Sequence, residues 1–444
     1  MDTQAAQLLI APVSPSLTET RYTSRYEEFY LAGGARQESF RLLAGPLPAD
    51  DLTHSLYPYP ARLIRHVPRF LLRSEGFVGP NAPVVVDPFC GSGTVLVEAQ
   101  AAGLNAVGFD TNPMAALVSR VKTTPLNGPE LKDAGLRLVA AAKRSRTGAN
   151  ISDRLSIWHS EPAFSALRRL ANQIAQVDDG PIKQALQVTF ALTARKCSTM
   201  DPRIPVPVVS KDGKGQGIPA RTVWQAFEAT LNRVELLASR IRGGAAAVSV
   251  HNADARLAET YDLVPQRDAV LMTSPPYGAA QKYGRATAVE AAWLSLIRQS
   301  GPAEVESRTV GREHILAAER TPDVGSLAEY PSLCAAIERI RLESVMRADI
   351  YSHYFLDMQS AIRSIAGKLP FLDRIALVAG TNVVAGSTLD THVHLAEMFQ
   401  REGFHPRFVV KDEIRGRTLL TNRHRGNAPA ASEFIYVMER GHRG

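Results

Sequence analysis

A Gly-rich segment directly after a run of β-branched residues is the feature that most constrains this chain. Residues 84–89 read VVVDPF, an apolar run typical of strands buried on both faces of a parallel sheet. Gly91 and Gly93 follow, and residues 94–103 have the pattern of a helix that ends at a glycine. Because glycine lets the backbone turn tightly and approach a ligand closely, the segment predicts a cofactor-binding loop at the carboxyl edge of a parallel sheet.

Further alternation of strands and helices predicts an α/β fold with a mostly parallel sheet. A second strand and a second helix are predicted at 105–110 and 113–123. Further strands are predicted at 246–255, 267–278 and 374–380. The last two apolar segments, RFVVKDEI and EFIYVMER, are predicted to close the sheet as an antiparallel pair. Residues 1–52 are predicted to be an irregular lead-in, and 126–245 a helical insertion that contacts a polyanionic partner.

Each of the first two predicted strands ends at an acid. Asp87 follows the first strand and Asp110 follows the second. An acid in the second position can bind the hydroxyl pair of a ribose. The loop lacks the third glycine of GxGxxG, which disfavours a pyrophosphate dinucleotide. The structural alternative is a Gly-rich turn with a helix-capping aspartate.

The motif TSPPYG at 273–278 follows another apolar strand. Two adjacent prolines fix the backbone and remove two N–H donors, so the carbonyls of Ser274 and Pro275 are free to accept from a ligand. Tyr277 adds a flat aromatic face. This combination suits an exocyclic amine on a planar base, whereas the alternative is a rigid turn that ends a strand.

DPFCGSGT together with SPPY resembles the S-adenosylmethionine-dependent amino-methyltransferases of DNA, and the serine in SPPY resembles their cytosine-N4 branch. Residues 53–71 and HNADAR at 251–256 resemble further cofactor motifs of that family. The resemblance covers roughly 53–123 and 246–440. It implies a Rossmann-like methyltransferase fold, with the catalytic domain at 53–125 and 246–444. One departure is KLPFLD, which stands where the family has a Gly-Gly turn before the strand RIALVAG.

The resemblance also implies the cofactor and the site residues. The cofactor is S-adenosylmethionine, and its contacts are predicted at Tyr59, Pro60, Ala61, Asp87, Pro88, Phe89, Cys90, Gly91, Ser92, Gly93, Asp110, Thr111, Asn112, Asp254 and Ala255. Catalysis is predicted at Ser274, Pro275, Pro276 and Tyr277. In this scheme the Ser274 hydroxyl and the Pro275 carbonyl hold the amine hydrogens, and Tyr277 stacks on a base flipped out of the duplex, its hydroxyl being secondary.

Other chemistries fit the sequence less well. Carbon-5 cytosine methylation uses a cysteine nucleophile that typically follows a proline, and no Pro-Cys occurs here. Adenine-N6 methylation is the close alternative, since both amines have the same geometry. Guanine-N2 methylation of RNA usually comes with an N-terminal RNA-binding domain, for which residues 1–50 are too short. A DNA-binding protein on an inactive methyltransferase scaffold conflicts with the intact motifs.

The charge balance favours double-stranded DNA as the partner. The chain has 51 Lys and Arg against 44 Asp and Glu, a net charge of +7. Two basic segments, 195–217 and 415–426, hold the predicted phosphate contacts Arg195, Lys196, Lys211, Lys214, Arg415, Arg423 and Arg425. The resemblance also suggests a cognate restriction endonuclease in the same cell as a second partner.

The sequence gives no pattern typical of a metal site, a membrane span or a secreted protein. Three cysteines are too few and too scattered for a zinc site or a disulfide framework, which favours a reducing cytoplasm. THVH at 391–394 has no acid or cysteine that completes a metal-ligand pattern, so it predicts a helix start with exposed histidines. No metal is expected, and no apolar run reaches the length of a membrane span.

Overall fold

The computed structural model of the protein describes residues 17–48, 51–81, 83–204, 206–211, 213, 215–241, 246–278, 283–297, 303–315, 319–320, 324–413 and 432–441. The strands in these residues are β1 (Gly34–Gln37), β2 (Val84–Asp87), β3 (Ala106–Phe109), β4 (Val248–His251), β5 (Ala269–Thr273), β6 (Leu372–Gly380), β7 (Asn382–Val384), β8 (Ser387–Leu389), β9 (Phe404–Glu413) and β10 (Ser432–Arg440).

Eight of these strands form one sheet in the order β1-β9-β10-β6-β5-β2-β3-β4. All neighbours in it are parallel except β10, which is antiparallel to both β6 and β9. β7 and β8 form a separate antiparallel pair. The predicted Rossmann-like α/β class with a mostly parallel sheet is therefore confirmed, and so is the closing antiparallel pair.

Helices cover the sheet and extend beyond it. They are α1 (Leu17–Ala32), α2 (Phe40–Ala44), α3 (His66–Leu71), α4 (Glu75–Val78), α5 (Thr94–Ala101), α6 (Pro113–Thr123), α7 (Gly128–Arg144), α8 (Glu161–Ala175), α9 (Pro181–Lys196), α10 (Ala220–Ala238), α11 (Tyr283–Ala286), α12 (Ala288–Trp293), α13 (Ala303–Arg308), α14 (Pro331–Glu343), α15 (Val345–Lys368) and α16 (Thr391–Arg401). Of the helices described, none is long and apolar enough to cross a membrane.

The side chains of β2 show how the sheet separates two apolar layers. Val84 and Val86 pack with the layer formed by α14, α15 and α16, whereas Val85 packs with the layer that includes α1, α3 and α5. This alternation follows from the two-residue period of a strand. Because both faces are covered, β2 is apolar throughout and only its carboxyl end carries polar groups.

Helices α7 to α10, between β3 and β4, form a layer with a core of their own. Their buried residues, such as Leu138, Leu167, Phe190 and Leu231, form one cluster that also includes the apolar side of α6 and α12. The layer is thus joined through α6 to the segment after β3, and through α12 to the segment that follows SPPY.

The N-terminal region differs from the predicted irregular lead-in. Residues 17–44 form α1, β1 and α2, and β1 extends the main sheet by pairing in parallel with β9. Tyr26 and Phe29 of α1 are fully buried, and both rings contact Phe408 of β9. The region therefore belongs to the sheet domain, at its edge.

Candidate active site

The motifs singled out in the sequence meet in one cleft at the carboxyl ends of β2, β3 and β5. The cleft measures about 890 Å³, open solvent included. Of the residues predicted for the site, those that line it are Tyr59, Ala61, Asp87, Pro88, Phe89, Cys90, Gly91, Ser92, Asp110, Thr111, Asn112, Asp254, Ala255, Ser274, Pro275, Pro276 and Tyr277. Pro60 and Gly93 do not line it.

Asp87 connects the two main motifs. Its Oδ1 accepts a hydrogen bond from the Thr273 hydroxyl at 2.9 Å and another from the backbone N–H of Phe89 at 3.2 Å. Thr273 directly precedes Ser274, so this contact fixes SPPY relative to the Gly-rich loop. Burial raises the pKa of Asp87 to about 7, and the nearby charge of Asp110 contributes to the increase.

Asp110 holds the loop from the next strand. Its Oδ2 accepts from the backbone N–H of Gly91 at 2.9 Å, and its Oδ1 accepts from the backbone N–H of Asn112 at 2.8 Å. Burial raises the pKa of Asp110 to about 6 although both hydrogen bonds favour the charged form. Each carboxylate oxygen keeps a further lone pair for a ligand hydroxyl.

The two glycines of the loop have different structural roles. Gly91 has φ +50° and faces the ring of Tyr59 across the cleft. Gly93 has φ +78°, and a Cβ there would lie 2.2 Å from the hydroxyl of Ser119 on α6. Gly93 therefore allows the loop to pack against α6 and begin α5, whereas Gly91 belongs to the surface of the cleft.

The segment that resembles the N-terminal cofactor motif forms the opposite wall. The Tyr59 hydroxyl accepts from Asn112 Nδ2 at 3.3 Å, and Ala61 adopts φ +48°, a conformation that residues with a side chain rarely take. The segment is anchored by buried Glu98 of α5, which contacts His54 Nε2 at 2.8 Å and accepts from Arg69 Nε at 2.8 Å.

Asp254 lines the cleft but is already paired. Its two carboxylate oxygens accept from the Arg256 side chain at 2.6–3.2 Å, and Oδ1 also accepts from the Arg256 backbone N–H at 3.0 Å. Arg256 in turn donates to Asp357 of α15 at 2.8 Å. Arg256 thereby fixes the orientation in which Asp254 is presented to the cleft.

SPPY is held at its tyrosine end by residues that the sequence did not indicate. The Tyr277 hydroxyl donates to Glu433 Oε1 of β10 at 2.9 Å. The next carbonyl, that of Gly278, accepts from the Tyr351 hydroxyl at 2.7 Å. Pro275 is buried, and Ser274 and Pro276 are partly exposed on the cleft side.

The predicted phosphate contacts do not form one group. Lys196 and Lys211 are exposed, whereas Lys214, Arg415, Arg423 and Arg425 lie outside the described residues. Arg195 forms an ion pair with Glu290 of α12, whose side chain is fully buried, and donates to the Ala286 carbonyl at 2.5 Å. This internal ion pair replaces the phosphate contact predicted for Arg195.

Two of the three cysteines and both histidines of THVH are buried. Cys90 and Cys197 are buried thiols, and burial raises the pKa of Cys197 to about 11. His392 and His394 are buried, not exposed as predicted, because His392 stacks on Phe434 with ring centroids 3.7 Å apart. Within the described part of the chain, no group of three or more His, Cys, Asp and Glu residues is arranged to hold a metal ion.

Several residues of the cleft were not identified from the sequence. They are Arg62, Leu63, Thr94, Val95, Ala253, Thr309 and Val310. All except the last two lie within two residues of a predicted residue in the sequence, so they belong to the same motifs. Thr309 and Val310 reach the cleft from beyond α13 through tertiary contacts alone, and no local pattern marks them.

Comparison with known proteins relates the chain to methyltransferases. No family model matches. The chain is 21% identical over 379 residues to the Type II methyltransferase M.MvaI of Kocuria varians, covering 80% of this chain and 82% of that protein. It is 33% identical over 79 residues to the Type II methyltransferase M.MjaII of Methanocaldococcus jannaschii, covering 18% of this chain and 14% of that protein.

Among solved structures, an rRNA methyltransferase aviRa from Streptomyces viridochromogenes aligns over 90% of this chain and 96% of its own, at 10% identity. The TM-score is 0.31, a value at which the likeness supports no conclusion about activity. The homology to Type II methyltransferases thus rests on sequence, and it extends over most of the chain.

Proposed function

We propose that this protein transfers a methyl group from S-adenosylmethionine to the N4 amine of cytosine at a specific site in double-stranded DNA. The observation that carries the proposal is the hydrogen bond between Thr273 and Asp87, since it joins the SPPY motif to the Gly-rich loop in one cleft. A cofactor site and a base site that share a wall are what direct group transfer requires. Ser274 in the first position of SPPY favours cytosine N4 over adenine N6.

The donor set of the cleft fits the proposed cofactor. Asp110 directly follows β3, where an acid can accept from a ribose hydroxyl pair. Asp87 offers a carboxylate to a cationic ligand. Ser92 lines the cleft with a buried hydroxyl that has no hydrogen-bond partner among the described residues, and a ligand oxygen or amine supplies one. Buried Lys122 donates to the Ser92 carbonyl at 2.9 Å and so fixes this part of the loop.

In the proposed reaction the bound cofactor supplies an electrophilic methyl group. Ser274 Oγ and the Pro275 carbonyl accept the hydrogens of the cytosine amine, which localises the lone pair on nitrogen. That lone pair would form the new N–C bond as the bond between the methyl carbon and the sulfonium sulfur breaks, with the electron pair of the broken bond left on sulfur. The nitrogen would then lose one proton to water. The side chains thus contribute positioning and electrostatics, with no covalent intermediate on the protein.

The target base is inaccessible in a duplex, so the proposal includes base flipping, at a cost of a few kcal/mol. Tyr277 lines the cleft beside the two prolines and offers its ring for stacking, worth about 1–3 kcal/mol per base. Exposed Lys196 and Lys211 are the described residues that we assign to phosphate contacts. We keep the cytoplasm as the proposed location and a cognate endonuclease as a proposed partner.

The test is methyl transfer with purified protein. Plasmid DNA from a host without methyltransferases is incubated with labelled S-adenosylmethionine, digested and examined by nucleoside mass spectrometry. N4-methylcytosine supports the proposal, N6-methyladenine replaces it with the close alternative, and N2-methylguanine in added RNA replaces it with the RNA reaction. Absence of methyl transfer to either nucleic acid, from protein shown to bind the cofactor, contradicts all three.

A further inference from the structure

Tyr277 is held in place by a hydrogen bond from its own hydroxyl. The acceptor, Glu433 Oε1, is 2.9 Å away, and the two side chains are 9% and 8% exposed. A buried charged acceptor forms a stronger hydrogen bond than a neutral one. The contact therefore restricts where the phenol ring lies.

The strand that carries Glu433 is rigidly placed. β10 lies between two neighbours in the sheet, with Glu433 directly opposite Gly380 of β6 and Asp412 of β9. Gly380 is the last residue of β6, which is parallel to β5, so Glu433 lies at the same edge of the sheet as the cleft. An anchor on a central strand holds a side chain more accurately than one on a loop.

A second set of contacts fixes the backbone next to the ring. The Gly278 carbonyl accepts a hydrogen bond from the Tyr351 hydroxyl on α15. The Tyr351 hydroxyl in turn accepts a hydrogen bond from Asn382 Nδ2 at 3.4 Å. A Cβ on Gly311 would lie 2.9 Å from the Tyr277 carbonyl, so residue 311 must be a glycine for this packing. Contacts within the protein thereby fix both the ring and the backbone of Tyr277.

We infer that Glu433 is a positioning residue for the target base. It acts by holding the Tyr277 ring in the orientation that stacks on the flipped cytosine. This inference rests on the proposed function, and it gives the Tyr277 hydroxyl a role that the sequence had predicted to be secondary. Glu433 itself is not among the residues that line the cleft.

The test compares single and double variants in the plasmid assay. Glu433→Ala and Tyr277→Phe should each lower kcat about tenfold or more, because a displaced stacking ring loses much of its contribution. Glu433→Gln keeps an acceptor oxygen and should stay within about threefold of the parent. The double variant Tyr277→Phe/Glu433→Ala should be no worse than either single variant, since both remove the same contact.

Two controls separate positioning from general damage. Calorimetry should give the same affinity for S-adenosylmethionine in all of these variants. Glu439→Gln changes the same residue type at the far end of β10, where the carboxylate pairs with Arg374 and Arg407, and it should leave kcat unchanged. An unchanged kcat in Glu433→Ala, or additive losses in the double variant, overturns the inference alone. A parent enzyme that methylates no DNA overturns the proposed function and the inference together.

Discussion

At the scale of single residues, the two acids of the cleft are set by burial to titrate close to neutral pH. The pKa is raised to about 7 for Asp87 and to about 6 for Asp110, each mainly by loss of water. Because these pKa values are higher in the folded than in the unfolded protein, the two groups contribute to the free energy of unfolding at low pH. That contribution is lost as the pH rises through the folded-state values. A bound cation reverses this effect because it stabilises the charged carboxylates.

The first prediction is a pH-dependent affinity for S-adenosylmethionine. The affinity should rise between pH 5.5 and 8 and then level off, because the free protein must lose a proton from Asp87 to receive the cation and one from Asp110 to accept from the ribose hydroxyls. Calorimetry in buffers of different ionisation enthalpy should show proton release near pH 6.5. Asp87→Asn should reduce both the slope and the proton release. An affinity that is flat across this range would show that Asp87 does not face the charged part of the cofactor.

A second residue-scale prediction concerns Asp110→Ala. It should weaken cofactor binding by about 1.5–3 kcal/mol, since a charge-assisted hydrogen bond is lost and the N–H groups of Gly91 and Asn112 lose their acceptor. Asp349→Asn is the control, because this buried aspartate pairs with Arg341 and does not line the cleft. Equal affinities for the parent and Asp110→Ala would sink the ribose assignment.

At the scale of elements, the loop between β2 and α5 depends on the close packing of α6. Gly93 lies in the left-handed region, and its α-carbon approaches Ser119 so closely that no side chain fits. The loop is thus shaped by a helix that follows it in the chain, as well as by its own glycines. Changing this contact should therefore alter both the cofactor affinity and the packing of α6.

We therefore predict that Gly93→Ala lowers both the melting temperature and the cofactor affinity. Gly103→Ala is a matched control, since Gly103 has φ +77° beyond the other end of α5 but no atom within 4 Å of the added Cβ. It should show the cost of the backbone conformation without the collision. Adding Ser119→Ala to Gly93→Ala should recover part of the loss. If the two glycine variants behave alike, strain explains the result and packing does not.

The elements also show what the sequence can and cannot indicate. β2 was predictable because Val84, Val85 and Val86 face two apolar layers and are followed by the glycines of the loop. β1 was missed because GARQ has no apolar pattern and becomes a strand only by pairing with β9, far along the chain. Glu433 was missed for the same reason, since only the sheet order brings β10 near SPPY.

At the scale of the whole molecule, the edge that holds the proposed active site is assembled from distant parts of the chain, and an added layer of helices lies beside it. Lys196 ends α9 in that layer, and Lys211 follows in the loop after it. In the residues that the structure describes, neither has a carboxylate partner, in contrast to Lys132 and Lys143 of α7, which pair with acids of α10. With a net charge of +7, the exposed lysines favour a polyanion.

The corresponding prediction is a salt-dependent affinity for DNA. Log affinity should fall linearly with log salt, because phosphate contacts release counterions. Lys196→Ser/Lys211→Ser should flatten that slope by about 1–2 units. Lys132→Ser/Lys143→Ser removes the same charge and should leave the slope close to that of the parent. Parallel slopes for the parent and the Lys196/Lys211 variant would mean that these lysines contact no phosphate.

The ion pair between Arg195 and Glu290 limits how this architecture can be recombined. Arg195 belongs to the helical layer, whereas Glu290 and the Ala286 carbonyl belong to the stretch that follows SPPY. A chimaera that exchanges only residues 126–245 between relatives would separate an arginine from a buried carboxylate. The helical layer therefore cannot be exchanged alone. A chimaera that folds has to take residues 286–290 from the same parent as the layer.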